Sequence, residues 1–311
     1  MNAIPVTNPP PPGTNPSETP PIETPLKRFC GEFAESKLAL IGLALLVVIV
    51  LVAIFAPLIS PQNPYDLGQL DIMDSKLAPG EKSAAGNTHL LGTDDQGRDM
   101  LSAIFYGLRI SLGVGLASTV FALAIGLFFG MIAAYFGGWV DTVIMRVVDI
   151  QLSFPAILIA LILLAVLGQG VDKIIVALIT VQWAYYARTV RASALVEKQK
   201  EYIEAAKVLA LSKTRILFRH MLPNCLPPLI VVATVQVAHA IALESTLSFL
   251  GLGLPITEPS LGLLISNGFT YLMSGKYWIS FYPGLALLLT IMSINLVADQ
   301  LRDVLNPRLK K

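Results

Sequence analysis

The sequence predicts an all-α membrane protein with six transmembrane helices. Charged residues make up only 14% of the 311 positions, and mean hydropathy is +0.68. Soluble domains carry about 25% charged residues, so a chain this apolar takes lipid as its solvent. Six apolar stretches are each long enough to cross about 30 Å of hydrocarbon.

These stretches lie near 38–58, 110–136, 143–167, 171–191, 227–250 and 281–301. The fourth is the least apolar, because VQWAYYARTV mixes aromatics with Arg188; Trp and Tyr there suit a membrane interface. Pro155 falls inside the third and predicts a kink, since it lacks an N–H and clashes with the preceding turn. Gly42, Gly113, Gly115, Gly126 and Gly130 are small residues that permit close helix crossings.

Lys and Arg set the orientation. With both termini in the cytoplasm, the inner segments hold 16 of the 22 basic residues. Most of that excess sits in the loop 186–225. The remaining 6 fall in the outer segments, chiefly the loops 59–109 and 252–280.

Residues 1–25 are rich in Pro, Thr, Ser and Asn and predict a disordered cytoplasmic tail, since they offer little apolar surface to bury. They lack the basic and apolar regions of a signal peptide. Residues 26–311 form the transmembrane domain. Cys30 and Cys225 give neither a disulfide framework nor a zinc site. A net charge of +1 gives no sign of nucleic acid as a partner.

The inner loop is basic and helix-prone. Over 201–212, EYIEAAKVLALS, a helical period puts Tyr202, Ala205, Ala206, Leu209 and Ala210 on one face, with Glu201, Glu204 and Lys207 opposite. A narrow face of Ala suits docking into a protein groove, or packing as a linker on its own bundle. It lacks the bulky residues of a lipid-seeking helix. The outer loop 252–280 is moderately apolar and fits a short helix lying against the membrane surface.

The longer stretch EYIEAAKVLALSKTRILFRHMLPN resembles the EAA loop of ABC importer permeases. Glu204, Ala205 and Ala206 match, as do Leu222, Pro223 and Asn224 at the family spacing. Ala210 stands where the family has Gly. Gly would allow a left-handed turn there at no cost, whereas another residue costs roughly 1–2 kcal/mol, so the turn is expected to shift or the helix to run on. Residues 89–115, HLLGTDDQGRDMLSAIFYGLRISLGVG, resemble the outer signature of the dipeptide and oligopeptide permeases, C-type subunit, with Ala103 where Arg is common. Ser248 to Gly253, then Pro259, Ser260 and Gly262, make a third match, with Leu261 in place of Trp. The three motifs occur in family order, and the resemblance spans about 26–309.

The resemblance implies the type I ABC importer permease (MetI-like) architecture in a bacterial inner membrane. The chain would form half of the translocation pathway for di- or oligopeptides or related small solutes. It would pair with a second, B-type permease, two ABC ATPase subunits and an extracytoplasmic solute-binding protein. A coupling helix near 201–212 would meet the ATPase through Glu201, Tyr202, Glu204, Ala205, Ala206, Leu209, Ala210, Leu211 and Arg215. ATP and Mg would sit on the partners, leaving this chain without cofactor or catalytic residue. Independently, the sequence has no G-x-x-x-x-G-K-[ST] phosphate loop.

Four ionisable residues in the spans are candidates for gate or pathway. Arg146 and Asp149 share a helical face and would pair at an inner gate or solvate a helix end. His239 and Glu244, in the fifth span, would line the solute path; Glu244 could equally reach the outer interface. His239 has no second metal ligand at helical spacing. An intramembrane protease would need a nucleophile–base pair or metal ligands that no motif frames. A self-contained ion-coupled carrier or channel would need buried carboxylates or broken helices, of which there is little sign.

Overall fold

In a computed structural model, residues 24–305 are described. The assigned tail, 1–25, lies almost wholly outside them. Its last residue, Pro25, opens the first helix.

The elements are α1 (Pro25–Ala34), α2 (Lys37–Ile59), α3 (Met100–Phe136), α4 (Gly138–Ser153), α5 (Ala156–Leu167) and α6 (Val171–Lys198). They continue with α7 (Glu201–Val208), α8 (Lys213–Arg215), a π turn (Ile216–Met221), α9 (Leu222–Phe249), α10 (Leu261–Phe269) and α11 (Trp278–Leu305). Among the described residues there is no β-strand, only two isolated bridges, Lys82 with Thr88 and Thr93 with Asp99.

Four helices are long and apolar enough to cross a membrane: α2, α3, the continuous run Lys213–Phe249 and α11. The pair α4 and α5 makes a fifth if it is one bent span. The sequence expectation of six exceeds this. The stretch 171–191 does fall on a helix, but α6 carries Asp172, Lys173, Arg188 and Arg191 and is not apolar enough to count. The third stretch departs further. At Phe154 and Pro155 the chain turns by 90°, a break between two helices rather than a kink within one.

The bundle is centred on α3 and α6, which pack together more extensively than any other pair. The reason lies in two glycines. A Cβ at Gly126 would lie 2.4 Å from Tyr186 Cβ and 2.6 Å from Trp183 O, and one at Gly130 would lie 2.6 Å from Ala187 O. Gly42 and Gly115 make comparable approaches to Leu296 and Ile241. Gly113, also expected to pack, faces open space. α2 instead exposes most of its apolar circumference and buries only small or β-branched residues.

At 37 residues, α3 is about 55 Å long, well beyond the hydrocarbon thickness. It therefore begins earlier than expected. The irregular segment 60–99 ends where Asp99 caps α3 by accepting from Ser102 N. The helix in 252–280 exists as α10, and it packs closely against α9 and α11. Gly262 and Gly268 explain this, because each meets neighbouring backbone closer than any Cβ could. α1, which the sequence reading left unassigned, packs Phe33 on Val297, and Glu32 O accepts from Gln300 Nε2 at 3.0 Å.

Candidate functional site

The helix carrying the Glu-Ala-Ala motif is α7, and it is shorter than the expected 201–212. Glu201 and Glu204 in its first turn and Lys207 in its last suit the helix dipole. It ends after Val208 in a compact turn. Ala210 N donates to Lys207 O at 2.9 Å, Leu211 N donates to Ala206 O at 3.1 Å, and Ala210 takes φ 52°. This is a Schellman closure, with a left-handed residue in the position that usually takes Gly. The expectation that the turn would shift or the helix run on is therefore overturned. Ala210 keeps the geometry and bears the strain.

The helix faces also differ from the simple period. Ile203 and Ala206 are the buried pair, set in a cluster with Met131 and Ala134 of α3, Val190 and Ala194 of α6, and Ile216 and Met221 of the π turn. Ala206 thus faces its own bundle. Leu211 packs partly against the same cluster. Glu201, Glu204, Ala205, Ala210 and Arg215 are exposed. Val208 and Leu209 are the most exposed apolar side chains here, at 86% and 73%. Neither Ile203 nor Val208 was singled out from sequence, although Ile203 is the one bulky residue three positions before Ala206.

Tyr202 joins α6 and α9 through its hydroxyl. It donates to Glu197 Oε2 at 2.5 Å, and Asn224 Nδ2 donates to the same phenol oxygen at 2.9 Å. Asn224 Nδ2 also reaches His220 O at 2.9 Å. Burial and the Glu197 carboxylate push the Tyr202 phenol up to about 12, so it remains a donor at neutral pH. The Leu-Pro-Asn motif supplies the other half. Pro223 has no N–H, and the turn just before it is π-helical, with Leu222 N bonding Leu217 O five residues back. Lys198 Nζ caps the end of α3, donating to Ala134 O at 3.0 Å and Tyr135 O at 2.8 Å. Arg191 clasps Asp141 through two bonds of 2.5 and 2.6 Å.

Beside this knot, a cavity of about 820 Å³ opens between α6, α9 and α11. Its polar lining includes Ser193, Glu197, Asn224, Gln236, Asp299 and Arg302. A second, mainly apolar cavity of about 710 Å³ lies between α2, α3 and α9, with Arg109 at one end.

The other two motifs meet at the opposite end of the bundle. Arg98 is fully buried and donates from Nε to Asp94 Oδ2 at 2.6 Å and from Nη1 to Ile256 O at 3.1 Å. Asp99 pairs with His89 Nδ1 at 2.9 Å, and its N–H donates to Gln62 Oε1 at 2.6 Å. Trp278 Nε1 donates to Thr93 O at 3.2 Å, fastening the segment to α11. Burial, together with the neighbouring Asp94 charge, raises the Asp95 carboxyl above its usual range.

The four pathway candidates do not assemble. Asp149 pairs with Arg188 at 2.5 Å, not with Arg146, which is exposed and has no ion pair among the described residues. His239 is exposed on α9. Glu244 is fully buried and accepts from Ser111 Oγ at 3.0 Å, Ser248 Oγ at 2.9 Å and Ser245 Oγ at 3.3 Å. It thereby joins the second and third motifs. Among the described residues, no group of three or more His, Cys, Asp or Glu could hold a metal.

Comparisons with known proteins agree with this architecture. Residues 126–311 match the binding-protein-dependent transport system inner membrane component family, and residues 24–79 match the N-terminal transmembrane domain of oligopeptide transport permease C. The dipeptide transport system permease protein DppC of Escherichia coli K12 is 42% identical over 289 residues, covering 93% of this chain and 95% of its own. DppC of Haemophilus influenzae is 36% identical, covering 93% and 97%. A putative peptide transport permease of Brucella suis is 41% identical, covering 87% and 88%. An inward-facing structure of the MetNI methionine ABC transporter shares the fold, with TM-score 0.54 and 22% identity over 66% of this chain and 97% of that one. The chain belongs to the family of binding-protein-dependent transport system inner membrane components.

Proposed function

We propose that this chain is the C-type permease of an ATP-driven importer for di- or oligopeptides, with α7 as the helix that docks on an ATPase subunit. The peptide substrate follows from its relatives, the dipeptide permeases. The carrying observation is the exposed apolar tip of Val208 and Leu209 on a short helix that is itself anchored by Ile203 and Ala206. An apolar knob on a firm base fits a groove in a partner, and the exposed Glu201 and Glu204 flank it.

In this reading both termini and α7 are cytoplasmic, and the membrane is the bacterial inner membrane. A B-type permease completes the pathway, two ATPases hold ATP and Mg, and a binding protein delivers solute outside. The segment 60–99 faces that binding protein. Arg215, exposed like Glu204, belongs to the same docking surface in this reading. Arg146, Asp149, His239 and Glu244 keep only the roles their contacts suggest, with Glu244 bracing α3 against α9.

The test is purification of the tagged chain in mild detergent with identification of co-purifying chains, for wild type and Glu204→Lys. Wild type should bring a second permease and ATPases, and the variant should lose ATPase-driven uptake while still inserted. Wild-type uptake by the variant would remove α7 from the docking role. A chain that purifies alone and transports without ATP would establish the carrier reading instead.

A further inference from the structure

Three elements meet at one phenol oxygen. Tyr202 belongs to α7, Glu197 to the last turn of α6 and Asn224 to the first turn of α9. Glu197 and Asn224 both line the cavity of about 820 Å³ that Gln236, Asp299 and Arg302 also border. We infer that Tyr202 is a positioning residue that ties the docking helix to the wall of this cavity, so that movement of α7 reshapes it.

The chemistry of the knot suits a mechanical tie. A phenol can donate one hydrogen bond and accept others, and an amide nitrogen carries two N–H donors. Tyr202 gives its single proton to Glu197, and Asn224 divides its two between the phenol and His220 O. His220 O, at 3.5 Å, is a second and longer acceptor for the Tyr202 hydroxyl. The bond to Glu197 is charge-assisted, the stronger class. Tyr202 is 39% exposed, so the tie is breakable at modest cost.

The knot also differs from the rest of the α7 anchorage. Ile203 and Ala206 hold α7 to α3, α6 and the π turn by apolar contact, which tolerates sliding. Among the described residues the Tyr202 hydroxyl is the side-chain group of α7 that bonds both α6 and α9, and those are two of the three helices that border the cavity. A pull on α7 therefore reaches the cavity through Glu197 and Asn224 together. The π turn leading into α9 supplies a segment of irregular register that can accommodate the shift.

This inference rests on the docking role of α7, and the experiment separates the two. The whole importer is reconstituted in liposomes with its binding protein, and uptake of a labelled dipeptide and ATP hydrolysis are measured in parallel. Tyr202→Phe keeps the ring and removes the knot. It should retain ATP hydrolysis and lower peptide transported per ATP about five-fold, the scale of one net hydrogen bond. Glu197→Ala should do the same, Glu197→Gln should restore the ratio because its carbonyl still accepts, and the double variant Tyr202→Phe/Glu197→Ala should be no worse than either single.

An unchanged ratio in Tyr202→Phe, or additive losses in the double variant, overturns the tie. Should Tyr202→Phe fail to fold, the contrast between Glu197→Ala and Glu197→Gln decides on its own. If Tyr202→Phe loses the ATPase on purification, Tyr202 is a docking contact; the tie is then wrong while the docking role stands. If Glu204→Lys leaves hydrolysis and uptake unchanged, the docking role fails and the tie fails with it.

Discussion

Leu211 donates its backbone N–H to the carbonyl of Ala206, five residues back, at 3.1 Å. That bond closes α7 and fixes the residue between, Ala210, at φ 52°. A left-handed turn strains any residue with a Cβ. Ala210→Gly should relieve about 1 kcal/mol and slow hydrogen exchange at the Leu211 amide about five-fold. Unchanged exchange would mean that this turn carries no strain.

Arg98 and Asp94 form an ion pair that is all but sealed from solvent. Asp94 also accepts from the backbone N–H groups of Gln96 and Arg98, each at 2.9 Å. Removing one partner of a buried pair costs about 3–5 kcal/mol, because the other charge is stranded. Asp94→Asn should therefore lower the thermal midpoint of the purified chain sharply. Replacing both residues with apolar ones of similar size should recover much of the loss. A single variant as stable as wild type would show that water reaches Arg98.

Glu244 offers a graded test of its serine shell. Glu244→Gln preserves the shape and one carbonyl acceptor, and serine hydroxyls can turn to accept from its amide. It should cost under about 1 kcal/mol, whereas Glu244→Ala leaves buried hydroxyls without a partner and a cavity, at about 3 kcal/mol or more. Thermal unfolding in one detergent measures both. Uptake by Glu244→Gln should follow the amount of protein in the membrane. A stable Glu244→Gln that fails to transport would return Glu244 to the solute path.

The helical, membrane-embedded class was legible because apolar runs need no partner to be recognised. The Glu-Ala-Ala and Leu-Pro-Asn motifs were legible as strings, but their junction at Tyr202 was not, since it depends on how α6, α7 and α9 converge. Period alone grouped Ala206 with Ala205 and Leu209, which are exposed, because on an eight-residue helix one bulky side chain, Ile203, decides which face is buried. It also missed that Ser111 and Ser248, over 130 positions apart, share Glu244. The right-angle break at Pro155 and the pairing of Asp149 with Arg188 are likewise tertiary outcomes. Sequence spacing offered Arg146 instead.

The crossing of α3 and α6 gives the sharpest contrast between two glycines on one helix. Gly126 has no room for a Cβ, since backbone atoms of Trp183 and Ala187 lie 2.6 and 2.8 Å from where it would stand. Backbone cannot turn aside as a side chain can, so Gly126→Ala must push the helices apart, at about 1–3 kcal/mol for overpacking. Gly113→Ala meets nothing within 4 Å and should gain up to about 1 kcal/mol from helix propensity. Thermal unfolding of both variants, in the isolated chain and the same detergent, should therefore shift in opposite directions. Equal stability of the two would mean that α3 and α6 do not approach at Gly126 as closely as this structure has them.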